Sequence, residues 1–180
     1  MNARRIKRIG IYLVIVLIAA FAVSKIKIQT KDEYYDSKEQ TSGQTIEVSI
    51  GIYCDTILDN YDKLDKNLQD EKYVPRDGVI LKETTYKMNE GDSVFALLEK
   101  ATKENQIQME YQGADGNAYG SAYIQGINHL YEFSCGQLSG WMYVVNDDVP
   151  NYGVSKYSLK DGDKIAFRYT CDLGKDLGRE

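Results

Sequence analysis

Apolar and polar residues alternate strictly in the segment TIEVSIGIYC, residues 45–54. Five apolar side chains fall on one face at a period of two, which is typical of a β-strand with one buried face. A similar pattern predicts a strand at residues 79–88. Shorter strand-like runs follow at 107–112, 119–125, 130–134, 141–146 and 164–170. In the last run alternation places Ile165, Phe167, Tyr169 and Cys171 on one face.

One segment has a helical period instead. Val94, Leu97, Leu98 and Ala101 recur three or four residues apart, behind a turn that ends in the acidic residue Asp92. The spacing predicts a helix over residues 92–105 with Asp92 at its cap. Two strands, one helix and then several strands indicate an α+β fold with a mixed sheet. That order suits a β-grasp, in which the last strand inserts beside the first and runs parallel to it.

The N-terminal part has the layout of an export signal or membrane anchor. Residues 1–8 carry four basic residues and no acidic one, residues 9–23 are uncharged and mostly apolar, and residues 24–43 are polar without any period. A run of 15 residues is long for a cleaved signal and short for a membrane span, which needs about 20. The small residues around Phe21 fit a cleavage pattern, so cleavage stays open, although a retained anchor is favoured.

We therefore predict a cytoplasmic end (1–8), a hydrophobic anchor helix (9–23), a linker (24–43) and an extracytoplasmic domain (44–178). The basic end stays in the cytoplasm, which places the domain on the other side of the membrane. If the apolar segment is cleaved, the domain is secreted.

Charge and composition narrow the function of that domain. Four of the 22 basic residues lie in the first eight positions, which leaves 18 against 27 acidic residues and a net charge of −9. Nucleic-acid binding needs clustered Lys and Arg, so this class is excluded. Tyr is abundant, with 15 copies against 4 Phe and 1 Trp. Its flat apolar body and polar tip suit binding surfaces and the half-exposed face of a small sheet alike.

The chain shows little that indicates catalysis. His129 is the only histidine and lies in a predicted hairpin turn, and no glycine-rich phosphate loop opens a helix. Asp147 and Asp148 are neighbours in a loop, where solvation is the default, and no spaced calcium loop includes them. We predict a protein that is not an enzyme, with no catalytic residue, metal site or certain cofactor.

Three longer motifs carry a family resemblance. The stretches CDTILDNYDKLD, YEFSCGQLSGWMYVVN and PNYGVSKYSLKDGDKIAFRYTCDLG resemble the bacterial transcobalamin-like C-terminal domain family over residues 45–178. That family has no assigned function, and the resemblance implies a β-grasp fold of the soluble-ligand-binding type. In the animal cobalamin carriers, the corrinoid lies between such a domain and a large helical domain. The resemblance therefore implies one wall of a corrinoid site here, with weak binding or a second protein that supplies the other wall.

The stretch GWMYVVNDDVPNYG holds most of the candidate ligand-binding residues. Trp is usually largely buried, so its strand is expected to build the domain, and the loop 146–153 is the better functional candidate. The candidates are Trp141, Tyr143, Asn146, Asn151, Tyr152 and Tyr157.

The three cysteines lie in the predicted exported domain, where disulfides persist. In a β-grasp, Cys54 and Cys171 end the neighbouring first and last strands, which favours a disulfide between them and leaves Cys135 as the alternative partner of Cys171. The function we expect is a membrane-anchored, extracytoplasmic module that binds a small molecule, with a corrinoid as a candidate ligand. The alternative is a cell-surface domain for protein interaction or adhesion.

Overall fold

The computed structural model describes residues 44–118 and 120–178, which hold seven β-strands and one α-helix. The predictions for residues 1–8, 9–23 and 24–43, with the hydrophobic anchor helix, lie outside the described residues. Within the described ranges, no helix has the length and apolar character that a membrane crossing requires. The elements are β1 (Thr45–Tyr53), β2 (Val79–Asn89), α1 (Val94–Glu104), β3 (Met109–Gln112), β4 (Tyr123–Ile127), β5 (Leu130–Tyr131), β6 (Gly140–Val145) and β7 (Lys164–Thr170).

The alternating segment forms β1, which lies inside a four-stranded mixed sheet of order β2-β1-β7-β6. β2 pairs antiparallel with β1, and β6 pairs antiparallel with β7. β1 and β7 pair in parallel, from Ser49 opposite Lys164 to Tyr53 opposite Arg168. The prediction that the first and last strands are parallel neighbours is confirmed, and the class is α+β.

The apolar stripe of α1 packs against this sheet. Val94, Leu97, Leu98 and Ala101 are each 0% exposed and share one core with the inward residues of β1 and β7. The helix begins later than predicted, because the Oγ of Ser93 accepts the backbone N–H of Ala96 and so caps the first turn. The predicted cap, Asp92, instead accepts the N–H of Asn89 and closes the turn before the helix.

A smaller sheet, of order β3-β4-β5, is shorter than the sequence pattern predicts. The predicted run 130–134 ends at Tyr131, because Phe133 adopts a left-handed φ of 67° within a turn. The run predicted from 107 begins at Met109, three residues after the left-handed Gln106, and the run predicted at 119–125 forms β4 at Tyr123–Ile127. Periodicity does not register such reversals, so it misplaces the ends of these strands.

A second apolar cluster lies at the carboxyl ends of β1 and β7. It joins the ends of both strands to the connection after β1 and to the β5–β6 region. The connection contains two 3₁₀ segments, Asp55–Lys63 and Lys66–Leu68. The buried members of the cluster are Cys54, Ile57, Leu64, Val74, Leu130, Cys135, Tyr169 and Cys171.

The contact between α1 and the sheet can be tested by truncating its most buried residue. We expect Leu97→Ala to lower the free energy of unfolding by about 2–5 kcal/mol, because it removes apolar contacts and leaves a cavity. Urea denaturation followed by circular dichroism measures the change. The control is Leu58→Ala, at a leucine that is 40% exposed, which should cost less than about 1 kcal/mol. Equal losses for the two variants would contradict this packing.

Candidate ligand-binding site

Trp141 packs against the second apolar cluster. Its indole N–H donates to the carbonyl oxygen of Leu130 at 2.7 Å, and its ring meets that of Tyr169 edge to face at 5.2 Å between centroids. Tyr169 is fully buried and donates its hydroxyl to the carbonyl oxygen of Tyr131 at 2.6 Å. Among the predicted ligand residues, Trp141 therefore has its polar group already committed to the fold.

Tyr143 supports the loop that follows β6. The side chain is 8% exposed and stacks against Phe167 on the neighbouring strand, with centroids 6.1 Å apart. Its hydroxyl donates to the backbone oxygen of Tyr152. Burial, followed by the nearby hydroxyls of Tyr152 and Tyr157, raises the pKa of Tyr143 to about 12.

Tyr152 and Tyr157 form an exposed stacked pair. Their ring centroids are 6.0 Å apart and their planes differ by 17°. Tyr152 is 51% exposed, so one side of the pair is open to solvent, and Asn151 beside it is also exposed. We call Tyr143, Tyr152 and Tyr157 the tyrosine cluster.

The loop that carries the tyrosine cluster is fixed to the segment before β4. The hydroxyls of Ser155 and Ser121 are 2.8 Å apart, and Ser155 also accepts the N–H of Ala122 at 3.0 Å. Gly153 makes this approach possible, since a Cβ there would lie 2.2 Å from the Ser121 Oγ. The exposed rings therefore stand on an anchored backbone.

Asn146 and Asp163 tie the β6–β7 region to the tyrosine cluster. The Asn146 side-chain amide donates to Asp163 at 2.8 Å, and its oxygen accepts the N–H of Lys164 at 2.9 Å. Asp163 is 4% exposed and also accepts the N–H of Lys160 at 2.9 Å. Burial, followed by the nearby Asp163 carboxylate, raises the pKa of Tyr157.

Five of the six candidates are thus connected around the loop after β6, whereas Trp141 serves the second cluster. Asp163 was missed, although the KDGD turn that contains it was visible in the sequence. A buried carboxylate that joins three chain segments has no signature in a single sequence.

Alternation in the sequence also gave no hint of a cleft in the described part of the chain. It has a volume of about 460 Å³ and lies beside the second apolar cluster. Two cysteines share its lining with polar and charged groups, and Leu138 contributes an apolar edge. We call it the thiol cleft; its lining is Asn60, Lys63, Cys135, Gly136, Gln137, Leu138, Cys171, Asp172 and Asp176.

The predicted disulfide between Cys54 and Cys171 is not formed. All three cysteines are free and buried. The parallel register pairs Tyr53 with Arg168, so one more step sets Cys54 opposite Tyr169. Cys171 then lies two residues further along β7, which is too far for the short Cα separation of a disulfide. The two cysteines share an apolar face, but the register separates them.

The other residues considered for catalysis or metal binding are not brought together in one site. His129 is exposed in the β4–β5 turn, where its ring meets Tyr73 edge to face at 5.3 Å. Within residues 44–118 and 120–178, no group of three His, Cys, Asp or Glu side chains is arranged to hold a metal ion.

Part of the chain is similar to a known protein family. A family profile described as "Domain of unknown function (DUF4430)" matches residues 91–171, somewhat less than half of the chain. The match runs from the turn before α1 to Cys171, so β1 and β2 lie outside it. A comparison with curated proteins gives no match.

Solved structures supply a likeness of fold. Haptocorrin, of the transcobalamin family, in complex with Cbi has a TM-score of 0.50 at 15% identity, over 74% of this chain and 27% of the haptocorrin chain. The chain therefore spans about a quarter of that protein. A proposed metal-binding protein from Ruminococcus gnavus has a TM-score of 0.41 at 11% identity, over 69% of this chain and 96% of the other. At a coarse level, the profile match and the fold of haptocorrin agree with the predicted family resemblance.

The buried tyrosines give the domain a dependence on alkaline pH. The pKa values of Tyr143 and Tyr169 are raised to about 12 in the fold, against 10 for a free tyrosine. The unfolded chain therefore loses these protons first, and stability that is complete below pH 10 falls as the pH rises toward 12. Urea denaturation at a series of pH values measures this decline.

The variant Tyr143→Phe tests whether the Tyr143 hydroxyl contributes to this loss of stability at high pH. It should lower stability near pH 8 by about 1 kcal/mol, because a hydrogen bond is lost. It should also show a shallower decline between pH 10 and 12, since one of the raised tyrosine pKa values is then removed. A decline as steep as in the unaltered chain would contradict the burial of the Tyr143 hydroxyl.

Proposed function

We propose that this protein is a membrane-anchored, extracytoplasmic module that binds a small molecule with a flat ring system without transforming it. The observation that carries the proposal is the exposed stack of Tyr152 on Tyr157. A flat ligand gains contact area on the open face of Tyr152 and loses little conformational entropy there, because the pair is already stacked.

The tyrosine cluster is suited to this role because its position does not depend on a ligand. Tyr143 holds the backbone of Tyr152 from the core side by a hydrogen bond, and the ring of Tyr157 stacks on that of Tyr152. A platform that is ordered in advance avoids part of the entropic cost of binding. The exposed Asn151 adds a polar group beside the platform that can orient a ligand.

A corrinoid is the ligand class that we propose first. Haptocorrin, a cobalamin-binding protein whose fold is similar to that of this chain, supports this choice. We further propose that the fold is a β-grasp, in agreement with the parallel pairing of β1 and β7 around one main helix. The tyrosine cluster offers one wall, so we expect weak binding, or a second protein that closes the site.

A protein partner is the second candidate. Three large apolar side chains are exposed around the turn before β6 and the end of β7: Phe133 is 59%, Leu138 45% and Leu173 64% exposed. The backbone N–H of Leu173 donates to the oxygen of Leu138, which places these two segments side by side. Such a patch favours protein interaction or adhesion over the capture of a small molecule.

A titration separates the two candidates. The full chain in detergent is titrated with cobinamide and with hydroxocobalamin, followed by absorbance and thermal unfolding. We expect a spectral change and a higher melting temperature at saturation, with a Kd in the micromolar range or weaker. Tyr152→Ala should weaken binding about tenfold, because stacking is worth roughly 1 kcal/mol.

Tyr61→Ala provides the matched control, since Tyr61 is 40% exposed and follows Asn60, which lines the thiol cleft. Equal affinity in this variant and the unaltered chain supports the tyrosine cluster as the site. Loss of binding in Tyr61→Ala alone would move the site to the thiol cleft. No spectral or thermal change with either corrinoid would remove the corrinoid proposal and favour a protein partner.

The proposed location has its own test. The full chain should sediment with membranes, and protease added outside spheroplasts should digest the domain. Leu17→Arg puts a charge in the middle of the apolar run and should release the chain into the soluble fraction, whereas Thr30→Arg in the linker should not. A domain protected from external protease would contradict the extracytoplasmic location.

A further inference from the structure

Two thiols from distant parts of the chain meet in the wall of the thiol cleft. Cys135 lies in the turn between β5 and β6, and Cys171 follows the last residue of β7. Both line the cleft, and both belong to the second apolar cluster. Cys135 is fully buried, whereas Cys171 keeps 8% exposure.

The same 3₁₀ segment, Asp55–Lys63, supports both sulfur atoms. The Sγ of Cys135 lies 3.4 Å from the backbone oxygen of Asn60, and the Sγ of Cys171 lies 3.9 Å from the Oγ1 of Thr56. Thr56 and Asn60 are four residues apart and joined by a 2.9 Å hydrogen bond from the Asn60 amide to the Thr56 oxygen. The two sulfurs therefore occupy adjacent places along one short segment.

The backbone around each thiol is fixed independently of the other. The N–H of Cys135 donates to the Oγ of Ser139 at 3.0 Å, which is itself hydrogen-bonded to Tyr169 at 3.0 Å. The N–H of Cys171 donates to the carboxylate of Asp176 at 2.6 Å. Two thiols held in place at close range lose little further freedom when they become linked.

The two thiols also influence each other's ionisation. Hydrogen bonding to Cys171 lowers the pKa of Cys135, and the same partnership with Cys135 raises the pKa of Cys171. The lowered pKa favours a thiolate at Cys135, the species that attacks disulfides.

Cys54 differs from this pair. It is fully buried, and burial followed by the neighbouring Asp55 carboxylate raises its pKa to about 12. It is not among the residues that line the thiol cleft. A thiol with a raised pKa that does not line the cleft is unreactive toward an oxidant there.

We propose that Cys135 and Cys171 are a reversible disulfide pair, and that Cys54 remains a thiol. The oxidant is a small disulfide such as oxidised glutathione. One bond forms between the two Sγ atoms and one S–S bond of the oxidant breaks. The two thiol hydrogens and two electrons pass to the oxidant, which leaves as two thiols.

This bond has a structural consequence. It ties the β5–β6 turn to the end of β7 and closes a loop of roughly 35 residues, which restricts the unfolded chain. The same bond joins two parts of the wall of the thiol cleft. Oxidation should therefore raise the melting temperature and fix the shape of this wall.

Redox titration with peptide mapping tests the proposal on the full chain in detergent. The chain is equilibrated in mixtures of reduced and oxidised glutathione, free thiols are alkylated, and the digest is analysed by mass spectrometry. We expect one linked peptide pair containing Cys135 and Cys171, with Cys54 alkylated only after unfolding. The melting temperature should rise by at least about 5 °C on oxidation and return with dithiothreitol.

Single substitutions identify the source of that rise. Cys54→Ser is the control and should keep the rise, whereas Cys135→Ser and Cys171→Ser should lose it. A link that includes Cys54, or three free thiols at a large excess of oxidised glutathione, would overturn the proposal. The peptide map of the unaltered chain decides this point even if a substituted chain fails to fold.

Discussion

The parallel pairing of β1 with β7 is the constraint on which the rest of the described domain depends. Five residue pairs join strands more than 100 positions apart in the chain, and the core under α1 contains residues from both strands. The second apolar cluster contains Tyr169 of β7 and Cys54, which directly follows β1. α1 packs over the shared core, and the turn before β7 contributes Asp163 to the tyrosine cluster. The end of β7 delivers Cys171 to the thiol cleft. Both candidate sites are therefore consequences of this pairing.

Much of the fold could be predicted because burial leaves a periodic trace. The residues of β1 alternate in sequence, although their exposure alternates only from Thr45 to Val48 and residues 48–52 are all buried, and the stripe from Val94 to Ala101 marks the buried face of α1. Strand ends were predicted less well. They are set by single left-handed residues such as Phe133, which carry no periodic signal. The cap at Ser93 was missed for a similar reason, because Asp92 and Ser93 are both good caps and only the geometry of the turn decides between them.

The candidate sites show where sequence reasoning reaches its limit. Residue type alone identified Tyr152 and Tyr157 as candidate ligand-binding residues, since tyrosines beside a loop can be read directly from the sequence. The partner of each side chain could not be predicted. The prediction of a disulfide between Cys54 and Cys171 used the correct strands and the correct face of the sheet. It failed because the register of the two strands places Cys171 two residues beyond the position opposite Cys54. Trp141 differs from the other candidates because its indole N–H is hydrogen-bonded to Leu130, a residue of the second apolar cluster.

The outer strand β2 determines whether neighbouring copies of this chain can join their sheets edge to edge. It forms one edge of the four-stranded sheet and, at 11 residues, is long enough to serve as a template for a strand from a second copy. Lys82, Glu83 and Lys87 are exposed along it. Charged side chains on an edge strand discourage the addition of another strand, because pairing would bury or crowd them. The sheet can therefore end at β2 without becoming the start of a fibre, even where neighbouring copies are concentrated.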